Sequence, residues 1–175
     1  MSRSFEAGSH VRYGGNGICL VDRIEEIVYP GQSAARRCYV LRPIRNPGVE
    51  ITVPQDNETL CERLKPLRTK EELDGMLRIA AGEAAMPWQE DRKLRAQEFR
   101  RILAGGDAQA LLSLVHCILT QSAVLAKRGR HLSAADDTVR KDAERMLDEE
   151  FAFTLGTTPQ EAGRYICERL APPAE

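Results

Sequence analysis

The sequence predicts an α+β protein: a small, strongly bent β-barrel followed by an all-α helical domain. Three observations carry this. Residues before about 68 are rich in β-branched types and punctuated by Gly and Pro. Residues after 68 repeat apolar side chains at helical spacing. The ends of those helical stretches carry residues that cap helices. The expected division is 1–68 for the barrel, 69–87 for a connecting helix and joint, and 88–175 for the helical domain.

The strands come first. Ser9 to Tyr13 alternates loosely and runs into Gly14-Gly15-Asn16-Gly17, a tight turn, because Gly and Asn tolerate positive φ at low cost. Ile18 to Tyr29 follows as a long strand, with Ile18, Leu20, Ile24 and Val28 at even spacing on one face. The period breaks at Asp22, where a bend or bulge is expected. Pro30-Gly31-Gln32 is a turn. Arg36 to Leu41 and Val49 to Val53 are further strands, joined by a loop holding Pro43, Asn46, Pro47 and Gly48. Several short strands with tight turns in so short a stretch suggest a small barrel.

The helices have readable ends. Thr69-Lys70-Glu71-Glu72 fits a capping box and predicts a helix over 70–81, with Leu73, Met76, Leu77 and Ala80 on one face. Gly82 to Pro87 is a joint. Trp88 to Leu103 is the next helix, ended by Gly105-Gly106. Asp107 caps a third, whose stripe is Leu111, Leu114, Val115, Ile118, Leu119 and Leu125, ended by Gly129. Ser133 opens a fourth, carrying Val139, Ala143, Met146, Leu147 and Phe151 up to Gly156. Thr158-Pro159-Gln160-Glu161 starts the last, with Pro at the first helical position, and the tail from Ala171 should fray.

Composition narrows the function classes. The net charge of −1 argues against a protein that coats nucleic acid by bulk electrostatics, though not against a local basic patch. Residues 1–68 carry ten Lys+Arg against eight Asp+Glu, and residues 69–175 carry fifteen against eighteen, so neither part is a charged tail. The five cysteines, Cys19, Cys38, Cys61, Cys117 and Cys167, are dispersed and lack metal-ligand spacing. They read as reduced thiols of a cytoplasmic protein. Met1 to Gly8 lacks the apolar core of a signal peptide, and no stretch is expected to reach the roughly 18 apolar residues of a membrane span. No cofactor is expected.

No enzyme chemistry emerges. His116 and Cys117 are adjacent on a helix, so their side chains diverge by roughly 100° and form no dyad. His10 and His131 sit in polar settings. The paired acids Glu25-Glu26, Glu71-Glu72 and Asp148-Glu149-Glu150 read as surface or cap charge. The Gly14–Gly17 run lacks the Lys-Ser or Lys-Thr of a phosphate loop and leads into a strand rather than a helix.

Trp88 is the single tryptophan. Arg92, Lys93 and Arg95 follow it, then Arg100 and Arg101. An aromatic beside a basic helix end suits a groove-wedging DNA contact, with cations on the phosphates. The competing reading makes Trp88 a core residue and the basic run a solvated face, diluted by Glu90 and Asp91.

The order of these pieces resembles the CarD/CdnL family of bacterial transcription regulators. The barrel signature is Phe5-x-x-Gly8-x-x-Val11-x-Tyr13, Gly17, Ile24-Glu25 and Tyr39-Val40-Leu41, then Ile51-Thr52-Val53-Pro54, Asn57 and Arg63-Leu64-Lys65-Pro66-Leu67. The helical part adds the Trp, the basic helix, the Gly106-Asp107 turn, Leu132-Ser133-x-x-Asp136 and Ala143-Glu144-x-x-Leu147-x-x-Glu150-Phe151. Ser9 and Gly14 stand where the family has Asp and Pro, and the stretch from Trp88 to the Gly106-Asp107 turn is about one helical turn longer.

The resemblance implies a Tudor/SH3-like domain that binds the RNA polymerase β subunit, a module also found in the transcription-repair coupling factor. Its contact positions map to Ile27, Val28, Tyr29 and Thr52, apolar where the family often has Arg. It further implies that the helical domain contacts promoter DNA in the minor groove at the upstream edge of the bubble. There Trp88 stabilises the open complex while Arg92, Lys93 and Arg95 hold the backbone. A monomer is expected. The alternative is a protein–protein adaptor, on polymerase or another partner, without direct DNA contact.

Overall fold

The computed structural model describes residues 4–82 and 85–172. Parts of the joint (83 and 84) and of the tail (173–175) lie outside the described residues, as do 1–3. The protein is mixed α+β, with a five-stranded antiparallel sheet and six helices among the described residues. It divides into two compact units, Met1–Leu67 and Arg68–Glu175.

The first unit holds β1 (His10–Tyr13), β2 (Ile18–Ile27), β3 (Arg36–Pro43), β4 (Ile51–Pro54), the short helix α1 (Glu58–Cys61) and β5 (Leu64–Pro66). The sheet order is β4-β3-β2-β1-β5, so β4 and β5 are its edges. The β2–β3 register shifts between Val21 and Arg23, which places a bulge at Asp22 as the broken period predicts. The bulge resets the parity of the strand. Cys19 and Val21 face the core before it, and Ile24 packs there after it. The even-spaced face expected from Ile18 to Val28 is therefore interrupted, and Val28 is 59% exposed. The rest of the core is Val11, Tyr13, Tyr39, Leu41, Val53 and Leu64.

The Gly14–Asn16 turn is a single 3₁₀ turn, closed by the Tyr13 N–H donating to the Gly17 carbonyl at 3.0 Å. Gly14 has φ +48°, which a proline ring cannot adopt, and the Arg63 guanidinium stacked over Tyr13 occupies the space of a Cβ there. Two short elements escape the pattern reading. Helix α1, capped by Asn57, and β5, paired with β1, are each too short to show a period.

The second unit holds α2 (Lys70–Ala81), α3 (Arg92–Gly105), α4 (Ala108–Ala126), α5 (Ala134–Leu155) and α6 (Pro159–Leu170). The caps at Thr69, Asp107, Ser133 and Thr158 all accept backbone N–H bonds as expected. Helix α2 is no mere connector: Leu73, Leu77 and Ala80 are buried in the same core as Phe99, Leu114, Phe151 and Ile166.

Helix α4 is central and packs against α2, α3, α5 and α6. It corrects one expectation. Its 19 residues contain no Asp, Glu, Lys or Arg, and by length and composition, with a mean hydropathy of 1.5, it could cross a membrane. Six of its side chains, Leu111, Leu112, Leu114, Val115, Cys117 and Ile118, are buried.

Candidate functional site

The residues singled out in the first unit fall in two places. Ile27 ends β2 opposite Arg36, and Val28 and Tyr29 continue beyond it. The Tyr29 ring lies under the Arg36 guanidinium at 5.9 Å, and Arg36 is held by both oxygens of Asp56. The Tyr29 hydroxyl meets the Cys38 Sγ at 3.7 Å, and that contact, with burial, raises its pKa. Thr52 is half-buried on the edge strand β4, opposite Val40. Arg36 and Val40 are four residue steps apart on β3, so Thr52 is displaced about 13 Å along the sheet from Ile27. The first three residues cluster; Thr52 stands apart.

In the second unit the sequence reading is corrected twice. First, Trp88 is not on a helix. Asp91 is the N-cap of α3, its carboxylate accepting from the N–H groups of Lys93 and Leu94 at 2.8 and 2.9 Å. Capping by Asp91 leaves Trp88 in the preceding segment, outside any helix or strand. There it is half-buried against the core, with its ring edge-on to Phe99 at 6.1 Å.

Second, Arg95 does not face solvent. It is 7% exposed, and its Nε and Nη2 donate to the two carboxylate oxygens of Asp136, each at 3.1 Å. Nη1 donates to the carbonyls of Gln89 and Glu90 at 2.8 and 3.2 Å, and the guanidinium lies over the Trp88 ring at 4.3 Å. Its polar atoms are committed inside the protein, so Arg95 is not placed to meet a phosphate.

Asp136 is the residue that sequence reasoning missed. Burial pushes its carboxyl up, but the bonds from Arg95 and from the Ser133 hydroxyl outweigh burial and leave its pKa below the usual aspartate range. The signal lay in the helical phase. Asp136 shares the face of Ala143 and Leu147 on α5, and Arg95 shares the face of Phe99 and Ile102 on α3. A charge in phase with an apolar stripe is a buried charge looking for a partner.

Of the expected basic contacts, Arg92 and Lys93 remain exposed in the first turn of α3, beside Leu94, which is 54% exposed. Farther along, Arg101 is paired with Glu98 at 2.6 Å, and Arg100 donates to the Ala96 carbonyl. The N–H groups of Lys93 and Leu94 are already taken by Asp91, so an anion here would be met chiefly by the Arg92 and Lys93 side chains.

Burial lifts the Cys117 thiol to about 11 and the Cys167 thiol to about 12, so neither is a ready thiolate at neutral pH. The His116 Nδ1 lies 2.7 Å from the Leu170 carbonyl, away from any nucleophile role with Cys117. A cleft of about 610 Å³ between α2 and α6 is lined by Glu71, Asp74, Arg78 and Arg169, and Asp74 is bonded to Lys70 and Tyr165. In comparisons with known proteins, no family model and no curated sequence matches this chain.

Proposed function

We propose that this protein is a CarD-type transcription regulator, with a Tudor-like first unit that docks on the RNA polymerase β subunit and a helical second unit that meets promoter DNA. The observation that carries the DNA contact is the surface at the start of α3. A half-buried Trp88, an exposed Leu94 and the exposed cations Arg92 and Lys93 lie within one short stretch of chain. Apolar side chains flanked by cations suit a minor-groove wedge held by phosphate contacts. Because the Asp91 carboxylate already caps the positive end of the α3 dipole, the attraction for phosphate rests on these two side chains. The contact set is narrower than the sequence suggests, because Arg95 supports it from behind.

The polymerase contact draws support from the first unit. A five-stranded antiparallel sheet in the order β4-β3-β2-β1-β5, bent at a bulge, suits a small Tudor-like barrel. Edge strand β4 pairs with β3 on one side only, which suits the addition of a partner's strand on the other, and Ile27, Val28 and Tyr29 offer apolar contact at the end of β2.

Two outcomes test this reading with the cognate polymerase on a melted promoter. Trp88→Ala should shorten open-complex lifetime by roughly tenfold, the effect of losing about 1.4 kcal/mol of binding. Wild-type lifetime in that variant would refute the wedge. Arg92→Gln with Lys93→Gln should weaken DNA binding and flatten the plot of log affinity against log salt by about 0.9 for each phosphate no longer neutralised. An unchanged slope, with polymerase still bound, would favour an adaptor that never touches DNA. The net charge of −1 is the observation behind that second reading.

A further inference from the structure

We propose that Arg95 is the positioning residue of the Trp88 contact, and that Arg95, Asp136 and Ser133 form a latch that fixes the presenting segment. The inference rests on the DNA-contact reading above. The latch is built outward from α5. The Ser133 hydroxyl donates to Asp136 Oδ2 at 2.6 Å, and the Asp136 N–H donates back to Ser133 Oγ at 3.1 Å, which fixes the carboxylate at the start of the helix. The carboxylate holds the Arg95 guanidinium by two parallel bonds, which set its plane as well as its place. The free end of that plane then does two things at once. It binds the carbonyls of Gln89 and Glu90, the two residues after Trp88, and it covers the indole.

Residues 88–90 lie outside any helix or strand, so they have no ladder of their own to hold them. A lone tryptophan on such a segment would sample many rotamers and would lose that freedom on every encounter with DNA. The latch removes the cost beforehand. It requires arginine: a lysine ammonium is a point charge and cannot bridge a carboxylate in two bonds, reach two carbonyls and stack on a ring together. Phe99 supplies the second wall, edge-on to the indole.

Trp88 is the only tryptophan, so its emission reports on the latch directly. The test uses the full chain carrying Arg95→Met with Asp136→Leu, an apolar pair of similar bulk that removes both charges together and so leaves no unpaired one in the core. Arg95→Lys serves as a second variant that keeps the charge and loses the fork. Helix content by circular dichroism should match wild type. Trp88 emission should shift to the red and acrylamide quenching should rise about twofold or more, as expected of an indole released toward solvent.

Open-complex lifetime should fall to the value of Trp88→Ala even though Trp88 is present. Adding Trp88→Ala to either latch variant should lower it no further, since residues acting as one unit are not additive. If Trp88→Ala shortens the lifetime and the latch variants leave it at wild type, the positioning role is overturned and the DNA contact stands. An indole that stays as shielded as in wild type overturns the latch in the same way. If Trp88→Ala itself has no effect, the DNA-contact reading fails and takes the positioning role with it.

Discussion

Asp136→Ala should cost the helical unit about 3–5 kcal/mol, the scale found when one partner of a buried ion pair is removed. The reason is what remains. Arg95 is 7% exposed, so losing Asp136 strands a guanidinium between α3 and α5. Urea unfolding followed by helix circular dichroism at pH 7 measures the loss, and a wild-type midpoint would show that the pair contributes nothing. The acid dependence has a definite sign. The folded pKa of Asp136 is depressed, so its contribution is complete above the unfolded carboxylate pKa of about 4 and fades as pH falls through the lower folded value. Other carboxylates of the unit, among them Asp74 and Glu161, are also depressed, and wild type will weaken in acid for several reasons. The gap between wild type and Asp136→Ala isolates this one, and it should narrow at pH 3.

Phe99→Ala should be comparably severe, about 3–5 kcal/mol, through a different term. The ring is 1% exposed and joins the main core to the Trp88 platform. Truncation leaves a cavity where α3 meets the core, and the loss of transfer energy and of packing add. Phe99→Leu should cost under about 1.5 kcal/mol because most of the volume is kept. The same unfolding measurement ranks them, and equal midpoints for the two variants would mean the core collapses around the gap. Both should also redden Trp88 emission, the alanine variant more, since the edge-on contact disappears in each.

Much of the fold is legible in the sequence because it is decided locally. A Thr, Asp or Ser that accepts from an N–H three residues on is a short-range event, and four helix starts follow from it. The bulge at Asp22 shows itself as a broken alternation. The start of α3 falls four residues later than the pattern suggests. The sequence offers Pro87, Trp88, Glu90 and Asp91 in succession, and only the structure shows which residue caps. The candidate site is legible in its conspicuous member and not in its support. Trp88 stands out as the one tryptophan. The role of Arg95 depends on a partner 41 residues away, and no local rule brings α3 and α5 together. A basic run read along the chain counts three equivalent cations, Arg92, Lys93 and Arg95; folding points two outward and one in.

The uncharged helix α4 sets a timetable for the second unit. Its neighbours include α5 and α6, both made after it during synthesis, and Leu170 at the end of α6 is fully buried in the same core as Leu73 of α2. A ribosome that has finished α4 has therefore produced an apolar rod with much of its cover still unmade. The first unit, whose core draws only on residues before α2, can close in the meantime. Synthesis thus passes through a stage in which one half is finished and the other is at its stickiest. The interval between Ala126 and Leu170 is where a chaperone, or a slow codon, would matter most to this chain.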